Sequence, residues 1–440
     1  AILHFINLKI KNITYVIKNL MYSKLVKSSS IYILTSFINA SIPLLLLPLL
    51  TDKLSPTGYG ILAMFQICVG IILPFISLNL DGALARKYYD KEKGDFRAYF
   101  GTTILIGFIS LLIVSVSLLF FIDLIHNITS IPHYWIKYIL VVAYGQFIVS
   151  IVLTYFQVTI QPLKYGFVQI SQSVVNIGLT LIFILYYAKN WEGRLEAIIL
   201  TGLVFIFLSF IILFKKKLVK FKIYFKDVKY ALSYGIPLIP HAFGALLFTA
   251  IDRFFLTNII GLDQTGNFTV AYQLGAIISL VTVAFNNAFV PWLFENLNKD
   301  DLTIKKKIVS YTYVYFIFLF FLAFIVLTIF PFLVSIFVDE KYSDVNNYSF
   351  FIVLGFVFQG MYFMVTNYII YENKTYIQAI ITISTAIFKI PITYYLITFL
   401  GAEGASVSYC ISYFLFFVIT WYVSSKVYKM PWMLKINFLK

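Results

Sequence analysis

Ile104-Leu-Ile-Gly-Phe-Ile-Ser-Leu-Leu-Ile-Val-Ser-Val-Ser-Leu-Leu-Phe-Phe-Ile122 runs nineteen residues without a charge. As a helix rising ~1.5 Å per residue it nearly crosses the ~30 Å of hydrocarbon in a bilayer. Tyr315–Val334 does the same in the second half of the chain. Barrel strands would alternate apolar and polar residues over about ten positions, and these runs do not alternate. The rest of the composition agrees. Residues of the AVILMFWYC set make up 61% and charged residues 12%, too little polar surface to cover a soluble core of this size. The expected class is an all-α integral membrane protein, because helices satisfy their own backbone in lipid.

Spans are expected near 28–50, 58–80, 98–122, 134–158, 166–188 and 195–214. Six more follow near 230–252, 267–291, 308–330, 347–371, 376–398 and 404–425. Charge tests this arrangement. With the N-terminus in the cytoplasm, 27 of the 34 lysines and arginines fall on cytoplasmic segments and 5 on outside segments. Arg253 and Lys389 are left at a span end and within a span. Basic residues concentrate on cytoplasmic loops, so both termini are expected in the cytoplasm of a multi-pass protein with an even number of spans. The net charge of +15 raises nucleic acid as a partner. Its segregation into loops removes that reading, and no nucleic-acid partner is expected.

The basic connection Lys215–Lys229 divides six spans from six. The expected organisation is a basic segment 1–27, a six-helix bundle 28–214, a linker 215–229, a second bundle 230–425 and a cytoplasmic tail 426–440. Residues 1–20 carry Lys9, Lys11 and Lys18 among Ile, Leu and Phe, as a surface-lying helix would. Met21 then precedes the first span. No cleavable signal peptide is expected, and residues 1–20 are equally readable as an extension without a role of its own. The halves echo each other. Leu54-Ser-Pro-Thr57-Gly58 returns as Leu262-Asp-Gln-Thr265-Gly266, with Ala63 and Asn79 matched by Ala271 and Asn287 at the same offset. A parallel repeat about the membrane normal, with a site between halves, is one transporter architecture.

Motifs of soluble chemistry are absent or out of context. Gly58-Tyr-Gly60-Ile-Leu-Ala63 fits a loose dinucleotide pattern but precedes a membrane span with no βαβ unit around it. His4, His126, His133 and His241 are scattered, Cys68 and Cys410 lie in separate apolar runs, and no catalytic or metal-ligand cluster is visible. Neither enzyme activity, a cofactor nor a metal is expected. No clear proton-relay acid stands within a span, Asp252 coming nearest. Lys389, by contrast, lies about thirteen residues into its span, ~20 Å from the end. An ammonium at that depth needs water or a partner, and no acid shares its span. Lys389 is therefore the leading anion-binding candidate for a central cavity, with a paired or snorkelling cation as the bland alternative. Arg253 is read either as self-paired with Asp252 or as facing the cavity mouth. Of the amides within spans, Asn39, Gln66, Asn286 and Asn287 are taken as candidates for a wet lumen. Most intramembrane amides, Gln146, Gln172, Asn176 and Gln273 among them, fit interhelical hydrogen bonding equally well. Prolines at 43, 48, 74, 237, 240 and 391 suit bent, gating helices.

Ile42-Pro43-Leu44-Leu45-Leu46-Leu47-Pro48-Leu49-Leu50-Thr51-Asp52-Lys53-Leu54-Ser55-Pro56-Thr57-Gly58-Tyr59-Gly60 resembles the first-span signature of Wzx-type polysaccharide flippases of the multidrug/oligosaccharidyl-lipid/polysaccharide exporter superfamily. Asp252-Arg253-Phe254-Phe255-Leu256 and Leu400-Gly401-Ala402-Glu403-Gly404-Ala405 are similar to later parts of that family. The resemblance covers roughly residues 21–425. It implies two six-helix bundles around a central cavity. It also implies translocation of undecaprenyl-pyrophosphate-linked oligosaccharide repeat units, of O-antigen or capsule type, across the bacterial cytoplasmic membrane. Implied partners are that lipid-linked oligosaccharide, membrane lipids, a polysaccharide polymerase and a chain-length regulator. Cationic cavity residues of the family are thought to hold the anionic cargo, a role Lys389 would fit by charge and depth. Two rivals stay open: an ion-coupled drug or metabolite antiporter of the same superfamily, which would want an intramembrane acid, and a membrane-bound polymerase or acyltransferase, which would want a catalytic cluster or a large outside loop.

Overall fold

The computed structural model describes residues 24–89, 95–220, 222–372 and 374–432, which form helices joined by short turns. The surface helix expected over 1–20 and residues 433–440 of the tail lie outside them. The first half contains α1 (Lys24–Lys53), α2 (Pro56–Ser77), α3 (Leu80–Tyr89), α4 (Phe96–Thr129), the single turn α5 (His133–Ile136), α6 (Tyr138–Val158), α7 (Pro162–Leu181) and α8 (Trp191–Lys215). The second contains α9 (Phe225–Gly235), α10 (Ile239–Ile259), α11 (Leu262–Gly275), α12 (Ile277–Leu297), α13 (Leu302–Phe337), α14 (Val345–Tyr371), α15 (Thr375–Leu400) and α16 (Gly404–Val427). Among the described residues eleven segments are long and apolar enough to cross a membrane, and the last, Thr375–Val427, folds back at Gly401. Its two helices taken separately give the twelve crossings that the hydropathy pattern predicts.

Local chemistry sets the helix ends. Ser55 caps α2 by accepting from the Gly58 N–H, with Pro56 at the first helical position, where its missing N–H costs nothing. Asp95 caps α4 through the amides of Arg97 and Ala98, and the Lys220 ammonium 2.9 Å away holds its carboxyl below the usual range. Several expected boundaries move. Span two was expected to run to residue 80, but the left-handed backbone at Leu78 and Asn79 ends it at Ser77 and starts α3 as a separate helix.

The halves repeat one packing plan. In the first, α1 packs on α7, α2 on α6, α6 on α8 and α7 on α8. In the second, α10 packs on α15, the bent pair α11–α12 on α14, α14 on α16 and α15 on α16. Each bundle buries its inner faces and leaves Leu, Ile and Phe outward, as along Leu112, Ile113 and Phe120 of α4 and Ile317, Phe321 and Phe324 of α13. Lipid covers such faces without cost.

The two bundles meet most tightly at the end opposite the Lys215–Lys229 connection. The repeated corners found in the sequence face one another there. The Thr57 hydroxyl donates to the Asp263 carboxylate. The carbonyls of Phe337, Asp52 and Leu54 accept from Thr51 (3.1 Å), Lys341 (2.6 Å) and Tyr342 (3.0 Å), and Asn258 donates to the Ile128 carbonyl at 2.7 Å. A Cβ on Gly266 would stand 2.0 Å from the Pro56 carbonyl oxygen, and one on Gly60 would stand 2.3 Å from that of Leu262. Both glycines let backbone meet backbone. Gly266→Ala is therefore expected to push the corners apart. Spin labels at Lys53→Cys and Ser343→Cys, in a background lacking Cys68 and Cys410, report it: the distance distribution should lengthen and broaden. An unchanged distribution would mean that the corners do not hold this end shut.

Candidate functional site

Beneath that seal lies a cavity of about 480 Å³ between the bundles. The first half supplies Pro43 and Leu46 of α1, Tyr59 and Gln66 of α2, and Arg194 and Ile198 of α8. The second supplies Leu246 and Arg253 of α10 with Thr269 and Gln273 of α11. A side compartment of about 250 Å³ extends into the first bundle and shares Pro43, Gln66, Arg194 and Ile198 with it. Its other polar walls are Asn39, Gln146, Gln172, Ser173, Asn176 and Thr201. Two guanidiniums, one from each half, thus face a space walled by amides, hydroxyls and aliphatic side chains. Neither lining contains an aspartate or a glutamate.

Neutral partners hold each guanidinium. Arg194, in the first turn of α8, donates to the Asn176 side-chain amide oxygen and the Thr180 hydroxyl, both at 2.6 Å. Arg253 donates from Nε to the Thr269 hydroxyl and from Nη1 to the Thr249 carbonyl, each at 3.1 Å. The Tyr272 ring lies 4.4 Å from its guanidinium carbon. These contacts fix direction without neutralising charge, which leaves donor capacity for an anion. Tyr59 donates to Gln273 across the bundles at 2.8 Å and bounds the cavity on the sealed side.

Of the residues singled out in the sequence, Asn39, Gln66 and Arg253 line the cavity or its side compartment. Asn39 also accepts from Ser173. Asn286 instead accepts from Asn367 at 2.9 Å, a hydrogen bond between α12 and α14, and Asn287 lies on α12 outside both linings. Lys389 corrects the sequence reading most. Its ammonium does not face the cavity: it is buried 2.5 Å from Asp252 Oδ2 and 2.6 Å from the Phe248 carbonyl oxygen. A buried charge needs a counter-charge, and here the acid comes from α10 rather than from the lysine's own span. The same pair removes the self-paired reading of Asp252 and Arg253. Successive helical residues point about 100° apart, so Asp252 turns to α15 while Arg253 turns to the cavity.

Arg194 falls between the spans expected at 166–188 and 195–214, on an outside segment, and so carried no sign of a cavity residue. Nothing in Trp191-Glu-Gly-Arg194 distinguishes a loop arginine from one in a first helical turn. Its partners Asn176 and Thr180 were visible only as amide and hydroxyl on another span.

Comparison with known proteins agrees with this architecture. The family described as "Polysaccharide biosynthesis protein" matches residues 25–297, more than half of the chain. Two Haemophilus influenzae proteins are each 29% identical. One, described as an uncharacterized membrane protein, aligns over 64% of this chain and 68% of its own length. The other, Lsg locus putative protein 1, aligns over 64% and 69%. Among solved structures, an inward-facing multidrug resistance MATE family transporter of the MOP superfamily superposes with a TM-score of 0.73 at 12% identity, covering 88% of this chain and 94% of its own. An outward-facing MATE transporter gives 0.63 at 14% identity, covering 91% and 95%. At that identity the likeness concerns the fold. The chain belongs to the polysaccharide biosynthesis protein family and folds as the MATE transporters of the MOP superfamily do.

Proposed function

We propose that this protein moves a lipid-linked pyrophosphate oligosaccharide across the bacterial cytoplasmic membrane during surface polysaccharide synthesis. The observation that carries the reading is the pair Arg194 and Arg253, one from each half, facing one amide-walled cavity whose lining holds no carboxylate. A pyrophosphate cannot enter hydrocarbon unaided, and guanidiniums in a narrow cavity attract it more strongly than in bulk water. Primary amides both donate and accept, as sugar hydroxyls require. The prenyl tail stays in lipid, and lipid-linked cargo rather than a covalent substrate makes this a carrier, not an enzyme. An antiporter for cationic drugs would want an acid in the cavity wall.

Proteoliposomes decide between these cargoes. A fluorescent prenyl-pyrophosphate glycolipid should exchange leaflets in the presence of the protein, while a cationic dye such as ethidium should not accumulate. Transport of the dye without the glycolipid would reverse the assignment.

The reading also places the Lys215–Lys229 end, with both termini, in the cytoplasm. Impermeant maleimide on intact cells should label Asn127→Cys and spare Lys217→Cys, in the background without Cys68 and Cys410. The opposite pattern would invert the protein in the membrane.

A further inference from the structure

The most deeply buried charges among the described residues serve no wall of the cavity. The side chains of Lys389 and Asp252 are 0% and 1% exposed. Two oxygens of α10 hold the ammonium, and a hydroxyl of α15 stands beside the second carboxylate oxygen. Asp252 Oδ2 and the Phe248 carbonyl of α10 lie at 2.5 and 2.6 Å. The second carboxylate oxygen of Asp252 is 3.4 Å from the Thr393 hydroxyl of α15, which shares a 2.6 Å hydrogen bond with Ser408 of α16. The rings of Phe248 and Tyr409 lie 4.8 and 5.6 Å from the ammonium. A carboxylate and a carbonyl converging on one positive point are ligands of the kind a desolvated monovalent cation takes.

We infer that Lys389 permanently occupies, with its own ammonium, a monovalent-cation site built by Asp252 and the Phe248 carbonyl, and so keeps Arg253 free of an acid partner for the cavity. Asp252 and Arg253 are adjacent, and a carboxylate left alone in that place would draw the neighbouring guanidinium or capture a cation from solution. The ammonium prevents both. Lys389 is thus a positioning residue for Arg253 and makes no contact with cargo. The second clause rests on the reading of Arg253 as an anion ligand. The first does not.

The test uses the full chain in nanodiscs with inorganic pyrophosphate as probe, in choline, sodium or ammonium chloride of equal ionic strength. Wild-type affinity should change less than about twofold among the salts. Lys389→Ala should bind at least tenfold more weakly in choline, recover in sodium or ammonium, and melt at a higher temperature in those salts than in choline. Asp252→Asn added to Lys389→Ala removes the unpaired acid, so the double variant should bind near wild-type strength in every salt. If Lys389→Ala does not fold in choline, that double variant decides alone: weak binding by it overturns the inference. Melting of Lys389→Ala that ignores the cation also overturns it, as does pyrophosphate affinity equal to wild type in choline. Arg253→Ala separates the two readings. Pyrophosphate binding that survives Arg253→Ala unchanged defeats the cavity assignment, while the melting series still judges the cation site.

Discussion

Lys389→Ala is expected to destabilise the protein by roughly 3–5 kcal/mol in a buffer whose only cation is choline, because it leaves Asp252 buried without its counter-charge. The ion pair joins α10 to α15 in the interior of the second bundle. Removing both charges has a different consequence. Lys389→Met with Asp252→Leu fills similar volume with apolar groups, and such replacements are often neutral or stabilising by ~1–4 kcal/mol. Unfolding midpoints of the purified single and double variants, followed by the loss of monodisperse protein on heating, measure both effects. A single variant as stable as wild type would mean that water reaches the pair and that its buried geometry is not the state in solution. A double variant as unstable as the single would place the stabilisation in packing rather than in charge.

Loss of both cavity arginines should have the largest effect on transport. Hydrogen bonds to charged groups contribute about 1.5–3 kcal/mol each, so each substitution to alanine should slow glycolipid exchange roughly ten- to a hundredfold, and the pair more. Lysine keeps the charge but not the planar fork, so Arg194→Lys and Arg253→Lys should retain part of the rate. Raising the salt should weaken both wild type and lysine variants, with less effect once both arginines are gone. Initial rates in proteoliposomes with matched protein content test this series. A double alanine variant that keeps more than half the wild-type rate would remove the guanidiniums from cargo handling.

The architecture was legible because hydrocarbon makes simple demands. Helix length, charge segregation and the Lys215–Lys229 interruption are one-dimensional signals, and they carried twelve crossings and two halves into three dimensions. The site was only half legible. Sequence gives the depth of a residue but not the direction it faces, since helices apolar all round offer no stripe to read. Depth alone made Lys389 look unpaired, whereas its partner Asp252 lies 137 positions away on α10. Depth also could not separate Asn39 and Gln66, which reach the cavity walls, from Asn286, which faces Asn367. For Arg253 the sequence leaves two directions open, and only the pairing of Asp252 with α15 separates them.

The seal opposite the basic end is made of few and ordinary parts. Among the described residues seven hydrogen bonds cross it: Thr51 with Phe337 and with Asp339, Lys341 with Asp52, Tyr342 with Leu54, Thr57 with Asp263, Tyr59 with Gln273 and Asn258 with Ile128. At about 0.5–1.5 kcal/mol apiece they hold the end shut by roughly 4–10 kcal/mol. A cargo can shift a two-state equilibrium only by its differential affinity for the two states, and about 5.5 kcal/mol reverses a ratio of about 99 to 1. On the proposed reading the latch sits in the range that one well-held anionic head would overcome and thermal motion rarely does. On the proposed reading an unloaded carrier would stay shut on that face.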